Sequence, residues 1–132
     1  MSDTPLDLWA ADLGTREITT PLAILRSQAS LLAQKTSGML EGQVETTTRR
    51  DGSFVHGFFI VAPALDHYKY GLLSIRHGIG LYPATVYGPN QPELDANSEQ
   101  ELIECLRSAL SSDETRRVVD ALLAQSRSTV SA

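Results

Sequence analysis

The sequence predicts an α+β domain in which one N-terminal helix and two C-terminal helices pack on a four-stranded antiparallel meander with strand order 1-2-3-4. The stretch from residue 54 to residue 87 holds all three Phe and all four Tyr of the chain. Aromatic and β-branched residues favour a pleated, half-buried surface, and turn residues cut this stretch into pieces of strand length. The segments on either side have the apolar spacing of amphipathic helices.

Composition indicates an ordinary globular protein, with 132 residues, 42% of them hydrophobic and 20% charged. We therefore expect a single domain over residues 1–132. The net charge of -5 argues against nucleic acid as a partner, because sequence-independent binding needs a basic surface. No apolar run is long enough to span a bilayer, and the acidic N-terminus is not a secretory signal. We expect a cytoplasmic protein without a membrane partner, and the nine Arg against two Lys suggest a GC-rich bacterial source.

The clearest helix begins at Thr20-Pro21. Thr20 can cap the helix, and Pro21 suits the first helical position. The apolar stripe continues to a glycine, Gly38, which is a natural left-handed cap. Residues 1–19 form either a mobile arm or a short helix, whose apolar face would consist of Leu6, Trp9 and Leu13.

Four strands are predicted, at residues 43–50, 54–62, 67–77 and 81–87. Asp51-Gly52 should join the first two as a hairpin, with Gly52 at positive φ. Because Pro83 cannot donate a hydrogen bond to a neighbouring strand, the fourth strand is expected at the edge of the sheet. Residues 88–97 are expected to form a loop.

Two further helices are predicted after this loop. Ser98 and Glu101 match a capping box at the start of the first. Cys105 lies inside this helix, where we expect a small buried hydrophobe rather than a nucleophile. Residues 126–132 are expected to be a frayed tail.

Both faces of the second strand are apolar, which a sheet covered on one side should not show. Residues 54, 58 and 60 face one way and residues 55, 59 and 61 the other, and the third strand is expected to repeat this, with Leu73 and Ile75 opposed to Tyr70 and Leu72. Either helices cover both faces or a second subunit covers one. We favour the second and expect a homodimer. The predicted core includes Leu25, Phe59, Val61, Leu72 and Leu106.

No catalytic motif is present, since the chain has no phosphate-binding Gly-rich loop, no nucleophile elbow and no zinc-protease signature. His56, His67 and His77 are 10 or 11 residues apart, which is not the spacing of metal ligands. We expect them not to converge, and His56 to be a partly buried histidine with a hydrogen-bond partner. The sequence therefore predicts no catalytic residue, no metal and no cofactor.

The candidate binding site lies where the predicted hairpin ends collect positive charge. In an antiparallel meander this end brings together Arg49, Arg50, Arg76 and His77, which we call the Arg end. Guanidinium groups can hold a carboxylate or a phosphate through two hydrogen bonds. The alternative is a solvated hairpin end in which the chain's own carboxylates pair with the arginines. Tyr82 is a further candidate binding residue, because the tyrosines could form an amphipathic contact surface. The alternative is that they form cross-strand pairs within the sheet.

The function we expect is that of a non-enzymatic protein-interaction module of a bacterial accessory, immunity or chaperone-like type, acting through a sheet surface. The two-faced sheet, the tyrosines and the lack of a catalytic motif support it. The alternative is a small-molecule binding domain with a pocket between sheet and helices and the Arg end holding an anion. A third hypothesis is a small enzyme with His77 or His56 as acid or base. An apolar pocket with convergent polar groups would favour the second and third.

Overall fold

A computed structural model describes residues 4–88 and 92–130. The helices in these residues are α1 (Pro21–Lys35), α2 (Glu99–Leu110) and α3 (Asp113–Val130). The strands are β1 (Glu41–Thr48), β2 (Phe54–Ala62), β3 (Tyr68–His77), β4 (Ala84–Tyr87) and β5 (Leu94–Ala96), paired antiparallel in the order β1-β2-β3-β4-β5. This confirms the α+β class, the N-terminal helix, the meander and the two C-terminal helices. None of the described helices is both long and apolar enough to cross a membrane.

The sheet has a fifth strand that the sequence did not predict. Leu94–Ala96 pairs with β4, with Val86 opposite Leu94. The fourth strand is therefore not an edge strand, and that prediction was wrong. Pro83 lies just before the first residue of β4 rather than within it, so its missing N–H does not remove a hydrogen bond between strands. The rest of the predicted loop includes residues 89–91, which lie outside the described residues.

Helix α1 begins and ends where the sequence predicts. The Thr20 hydroxyl accepts a hydrogen bond from the Ala23 amide at 3.1 Å, and Pro21 follows it. After the helix, Gly38 has a φ of 81° and its amide donates to the Ala33 carbonyl at 2.8 Å. The left-handed turn that closes the helix after Thr36 consists of Ser37, with a φ of 51°, and Gly38, which meets no Cβ penalty there.

The first hairpin turns between Thr48 and Phe54. β1 begins and ends two residues earlier than predicted, so Arg49 and Arg50 lie in the turn rather than in the strand. The Arg49 amide donates to the Ser53 carbonyl at 2.8 Å. Gly52 has a φ of 86°, which confirms the predicted positive φ.

The C-terminal half forms two helices joined by a short turn. The Ser98 hydroxyl accepts from the Glu101 amide at 3.2 Å, which confirms the predicted cap of α2. Helix α3 continues to Val130, and Ser126 is fully buried. Of the residues predicted as a frayed tail, 131 and 132 lie outside the described residues.

All three helices pack on one face of the sheet. The core between them contains β2, β3 and β4 side chains together with helix side chains: Phe58, Ile60, Ile75, Val86, Leu25, Leu102, Leu106 and Leu122. The close approach of α1 to β1 depends on Gly42, since a Cβ there would lie 2.5 Å from the Ala29 Cα. The other face of the sheet carries no helix from the described residues.

A bulge in β3 changes which residues face the helices. Phe58 is opposite Leu73, but Phe59 is opposite Gly71, so the register shifts by one residue between them. Tyr70 pairs with Ile60 and therefore lies on the helix side, together with Leu73. The prediction that Tyr70 opposes Leu73 was wrong, because an extra residue in one strand reverses the alternation beyond it.

The predicted core is mostly confirmed. Leu25, Val61, Leu72 and Leu106 are all buried. Phe59 is half-buried on the face away from the helices, so its prediction as a core residue was wrong.

Candidate functional site

The sheet surface opposite the helices is a candidate binding surface, which we call the open face. Its residues from β2, β3 and β4 are Val55, Gly57, Phe59, Val61, Lys69, Gly71, Ser74, Arg76, Thr85 and Tyr87. The strand β1 adds polar side chains along one side. Because β3 contributes only small or polar side chains, the apolar part of the open face comes mainly from β2.

Phe59 lies flat at the centre of the open face. A Cβ on Gly57 would be 3.0 Å from the Phe59 ring, and one on Gly71 would be 3.4 Å from it. The two glycines thus leave room for the ring to lie against the backbone of both strands. The Lys69 ammonium is 4.3 Å from the ring centroid and forms an ion pair with Glu45. A cation over an aromatic ring is attracted to it, so the centre of the open face is a flat aromatic surface with charged groups beside it.

One corner of the open face holds Arg76 and its partners. Arg76 forms an ion pair with the Asp51 carboxylate, and its Nε donates to the Ser53 hydroxyl at 3.2 Å. Asp51 also accepts from the Ser53 hydroxyl at 2.6 Å and from the Ser53 amide at 2.9 Å. These bonds, the Ser53 hydroxyl first and its amide second, with Arg76 adding to them, lower the pKa of Asp51 to about 2. Arg76 is therefore held in place by the hairpin turn.

The five residues predicted as a site do not form one cluster. Arg49 and Arg50 are exposed in the turn, and neither forms an ion pair within residues 4–88 and 92–130. His77 points to the helix side instead. Tyr82 packs against the helix-side core, and its hydroxyl is buried without a hydrogen-bond partner among the described residues. Burial, and secondarily Glu99, raises the pKa of Tyr82.

His56 and His77 meet on the helix side of the sheet. Their Nε2 atoms are 2.7 Å apart, and both residues are buried. The expectation that these histidines do not converge was wrong. In this hairpin Phe54 is opposite His77 and His56 is opposite Ile75, so the two histidines are diagonal neighbours on one face, within reach of long side chains. The strand register was the signal that could have found the pair.

The partners of the histidines determine where their protons lie. The Nδ1 of His77 is 2.7 Å from the Gly78 carbonyl, which can only accept, so His77 carries its proton on Nδ1. With both rings neutral, the Nε2 of His77 accepts from Nε2–H of His56. The remaining nitrogen of His56, Nδ1, accepts from the Thr46 hydroxyl at 2.8 Å. A directed chain of three hydrogen bonds therefore runs from β1 through β2 to the end of β3.

The surroundings of His56 favour its uncharged form. Burial, then the neighbouring His77 and then Arg26, lowers the pKa of His56. All four ring nitrogens are bonded within the fold, which leaves none directed at a ligand. The confirmed part of the prediction is that His56 is a buried histidine with a hydrogen-bond partner, and the pair acts as a polar link between strands.

A second candidate surface is the helix groove, the depression between α1 and the α2–α3 pair. It consists of two adjoining cavities of about 190 Å³ and about 540 Å³ that share Gln28 and Leu110. Phe58, Ile60 and Leu72 form its floor, and Lys35 and Arg107 lie at its rim. The groove is therefore apolar at the bottom and basic at the edge.

The remaining chemistry-bearing groups among residues 4–88 and 92–130 do not add a third site. Cys105 is half-buried, and burial, with nearby carboxylates, raises the pKa of its thiol, which disfavours the reactive thiolate. Within the described part of the chain, no group of three or more His, Cys, Asp or Glu side chains could hold a metal ion.

Comparison with known proteins finds no family model, no curated protein and no solved structure that matches this chain. A function for the chain therefore rests on its fold and on the side chains of its two candidate surfaces.

Proposed function

We propose that this chain is a non-enzymatic protein-interaction module that binds a polypeptide partner through the open face of its sheet. The observation that carries the proposal is the asymmetry of the sheet. Three helices cover one face, while the other presents the flat Phe59 ring, with Tyr87 near it and Val55 further along β2, all half-buried. Partly exposed aromatic side chains on a rigid sheet are typical anchors of protein interfaces.

The Arg end gives this interface an electrostatic element. Arg76 lies on the open face, and Arg49 and Arg50 lie in the adjoining turn without an ion pair among the described residues. We infer that the partner carries acidic side chains that meet this corner. Such charges contribute more to the rate and selectivity of association than to its affinity.

The test is co-purification from cells of the protein's own source, using the charged variant Val55→Glu. Val55 is paired directly with Arg76, so a carboxylate there has a cation across the strand, while an apolar contact on the open face is lost. The matched control is Ile79→Glu, at an apolar side chain that is 86% exposed in a turn. We expect one polypeptide to co-purify with the wild type and the control but not with Val55→Glu. Equal recovery with all three proteins would contradict the proposal.

The alternative function, binding of a small anionic molecule between sheet and helices, is favoured by the helix groove. Its apolar floor suits a hydrocarbon chain, and Lys35 could hold a carboxylate. Calorimetric titration with dodecanoate tests it directly. Saturable binding that Lys35→Gln weakens would support a ligand-binding domain. No detectable heat of binding would contradict this alternative function.

A further inference from the structure

The N-terminal arm, residues 4–19, carries five large apolar side chains that the folded body does not cover. They are Leu6, Leu8, Trp9, Leu13 and Ile18, and between 64% and 83% of each is exposed. The arm contains no helix or strand, and its backbone bonds are those of a turn, such as the Leu13 amide to the Ala10 carbonyl at 3.2 Å. Exposed apolar side chains grouped in this way mark a segment that binds another surface.

The helix groove matches this arm in size and in apolar character. Its α1 wall extends from Ile24 to Lys35, about 17 Å at 1.5 Å per residue. If residues 6–13 form two helical turns, Leu6, Trp9 and Leu13 lie on one face, spaced i, i+3 and i+7. An amphipathic helix binds a groove through anchors with this spacing, and about 10 Å of helix fits within the wall.

The charges of the arm and the groove are complementary. Asp7 and Asp12 lie among the apolar residues of the arm, and Lys35 and Arg107 lie at the rim of the groove. Lys35 makes no ion pair with any carboxylate in residues 4–88 and 92–130. Arg107 pairs with Glu104 of its own helix at 2.9 Å, and both side chains are exposed. The two carboxylates of the arm can therefore form ion pairs with Lys35 and Arg107.

The arm does not fill the groove of its own chain. No residue of the arm is among those that line the two cavities, and the Thr20 hydroxyl cap fixes the point where the arm joins α1. We propose that the arm of one copy of this chain docks in the helix groove of a second copy, so that two copies exchange arms about a twofold axis. This rests on the proposed function only in treating the chain as a protein-binding module, because it uses the opposite side of the sheet.

Trp9 is the only tryptophan of the chain, so its fluorescence reports the docking directly. As the concentration of the full chain rises, we expect its emission to shift to shorter wavelength while sedimentation changes from monomer to dimer. Leu31→Glu places a negative charge in the groove wall at a side chain that is 40% exposed. It should raise the dimer dissociation constant about tenfold or more, and the matched control Ile79→Glu should leave it unchanged.

A mixing experiment identifies the contact as one between copies. Leu6→Ser/Leu13→Ser weakens the arm and keeps Trp9, whereas Leu31→Glu weakens the groove. At a concentration where the wild type is dimeric, each variant alone should be mainly monomeric. An equal mixture should recover part of the dimer, because the mixed pair retains one intact arm and one intact groove. Monomer at every concentration, or a buried Trp9 in a monomer, would overturn the proposal, as would a dimer in which Trp9 stays exposed to solvent.

These outcomes are separable from a failure of the proposed function. Val55→Glu changes the open face and should leave the fluorescence shift and the dimer unchanged. Leu31→Glu should leave co-purification of the partner unchanged. A dimer lost in Val55→Glu but kept in Leu31→Glu would place the second copy on the open face and overturn arm exchange alone.

Discussion

The histidine pair shows how two titratable side chains can serve as structure. His56 and His77 are each fully bonded, and the chain of donors begins at Thr46 and ends at the Gly78 carbonyl. A buried polar network of this kind is stabilising only while every member is satisfied. If both histidines are protonated, two N–H groups point at each other, so the bond between the rings cannot survive.

Stability should therefore decrease as the pH falls. The unfolded chain binds a proton at His56 near pH 6.5, whereas burial holds the pKa lower in the folded protein. Between the folded and the unfolded pKa of His56 the unfolded state binds more protons, so the free energy of unfolding rises with pH in that window. The stability that neutral His56 contributes is therefore lost as the pH falls below 6.5. His56→Gln keeps a donor and an acceptor but cannot titrate. Denaturant unfolding measured between about pH 7 and pH 5 should show that the free energy of unfolding changes less with pH in this variant than in the wild type.

The control for this experiment is His67→Gln, since His67 is exposed. It should keep the slope of the wild type. A wild-type slope in His56→Gln as well would show that His56 is not the group responsible.

The charges of the Arg end lead to a prediction about salt. Replacing Arg50 and Arg76 by Gln removes two charges while keeping much of their length and hydrogen-bonding capacity. We expect partner binding to weaken about tenfold at low salt and less at high salt, because mobile ions screen exposed charges. The matched control is Arg116→Gln/Arg117→Gln on the exposed side of α3. If both double variants weakened partner binding equally, the effect would come from the net charge of the protein and not from the Arg end.

At the scale of the elements, the contact between α1 and β1 is set by one glycine. A Cβ at Gly42 would lie 2.5 Å from the Cα and 2.6 Å from the Cβ of Ala29, and backbone atoms cannot move aside cheaply. Gly42→Ala should therefore lower the free energy of unfolding by about 1–3 kcal/mol. Gly78→Ala is the control, since a Cβ there meets nothing within 4 Å. Urea denaturation measures both, and a Gly42→Ala protein as stable as wild type would contradict the close packing.

The elements that could be predicted from sequence are those with a local chemical signal. Thr20-Pro21 and Ser98 mark helix starts through groups that satisfy free amides. Gly38 and Gly52 mark the places where the backbone needs positive φ. These signals depend on neighbouring residues only, so they can be recognised without the fold.

Four features were not predicted, because they depend on distant parts of the chain or on a segment too short to show a pattern. The bulge at Leu72 shows only in the register of β2 against β3. β5 has three residues, too few for an alternation. The meeting of His56 with His77 depends on the same register, and the half-exposed position of Phe59 depends on which face the helices cover. Of the candidate site, the position of Arg76 beside the turn was predictable, whereas the packing of His77 and Tyr82 on the helix side was not.

For the whole molecule, the sheet is a partition with two different sides. One side joins the helices into a core and carries the helix groove, and the other is flat, partly aromatic and without helices from the described residues. The apolar character of both faces of β2 reflects this division. Phe58 and Ile60 fill the core, while Phe59 covers the backbone of Gly57 and Gly71 on the other side.

The most direct test of the proposed function is site-specific photo-crosslinking from the open face in cells of the protein's own source. A photoreactive phenylalanine analogue replaces Ser74, which is half-buried on the open face beside Gly57, and in a second protein it replaces Asp120, which is exposed on α3. We expect irradiation to join one polypeptide to the Ser74 position and not to the Asp120 position, and Val55→Glu to abolish the product. No product from Ser74, or the same products from both positions, would contradict the assignment of the open face as the binding surface.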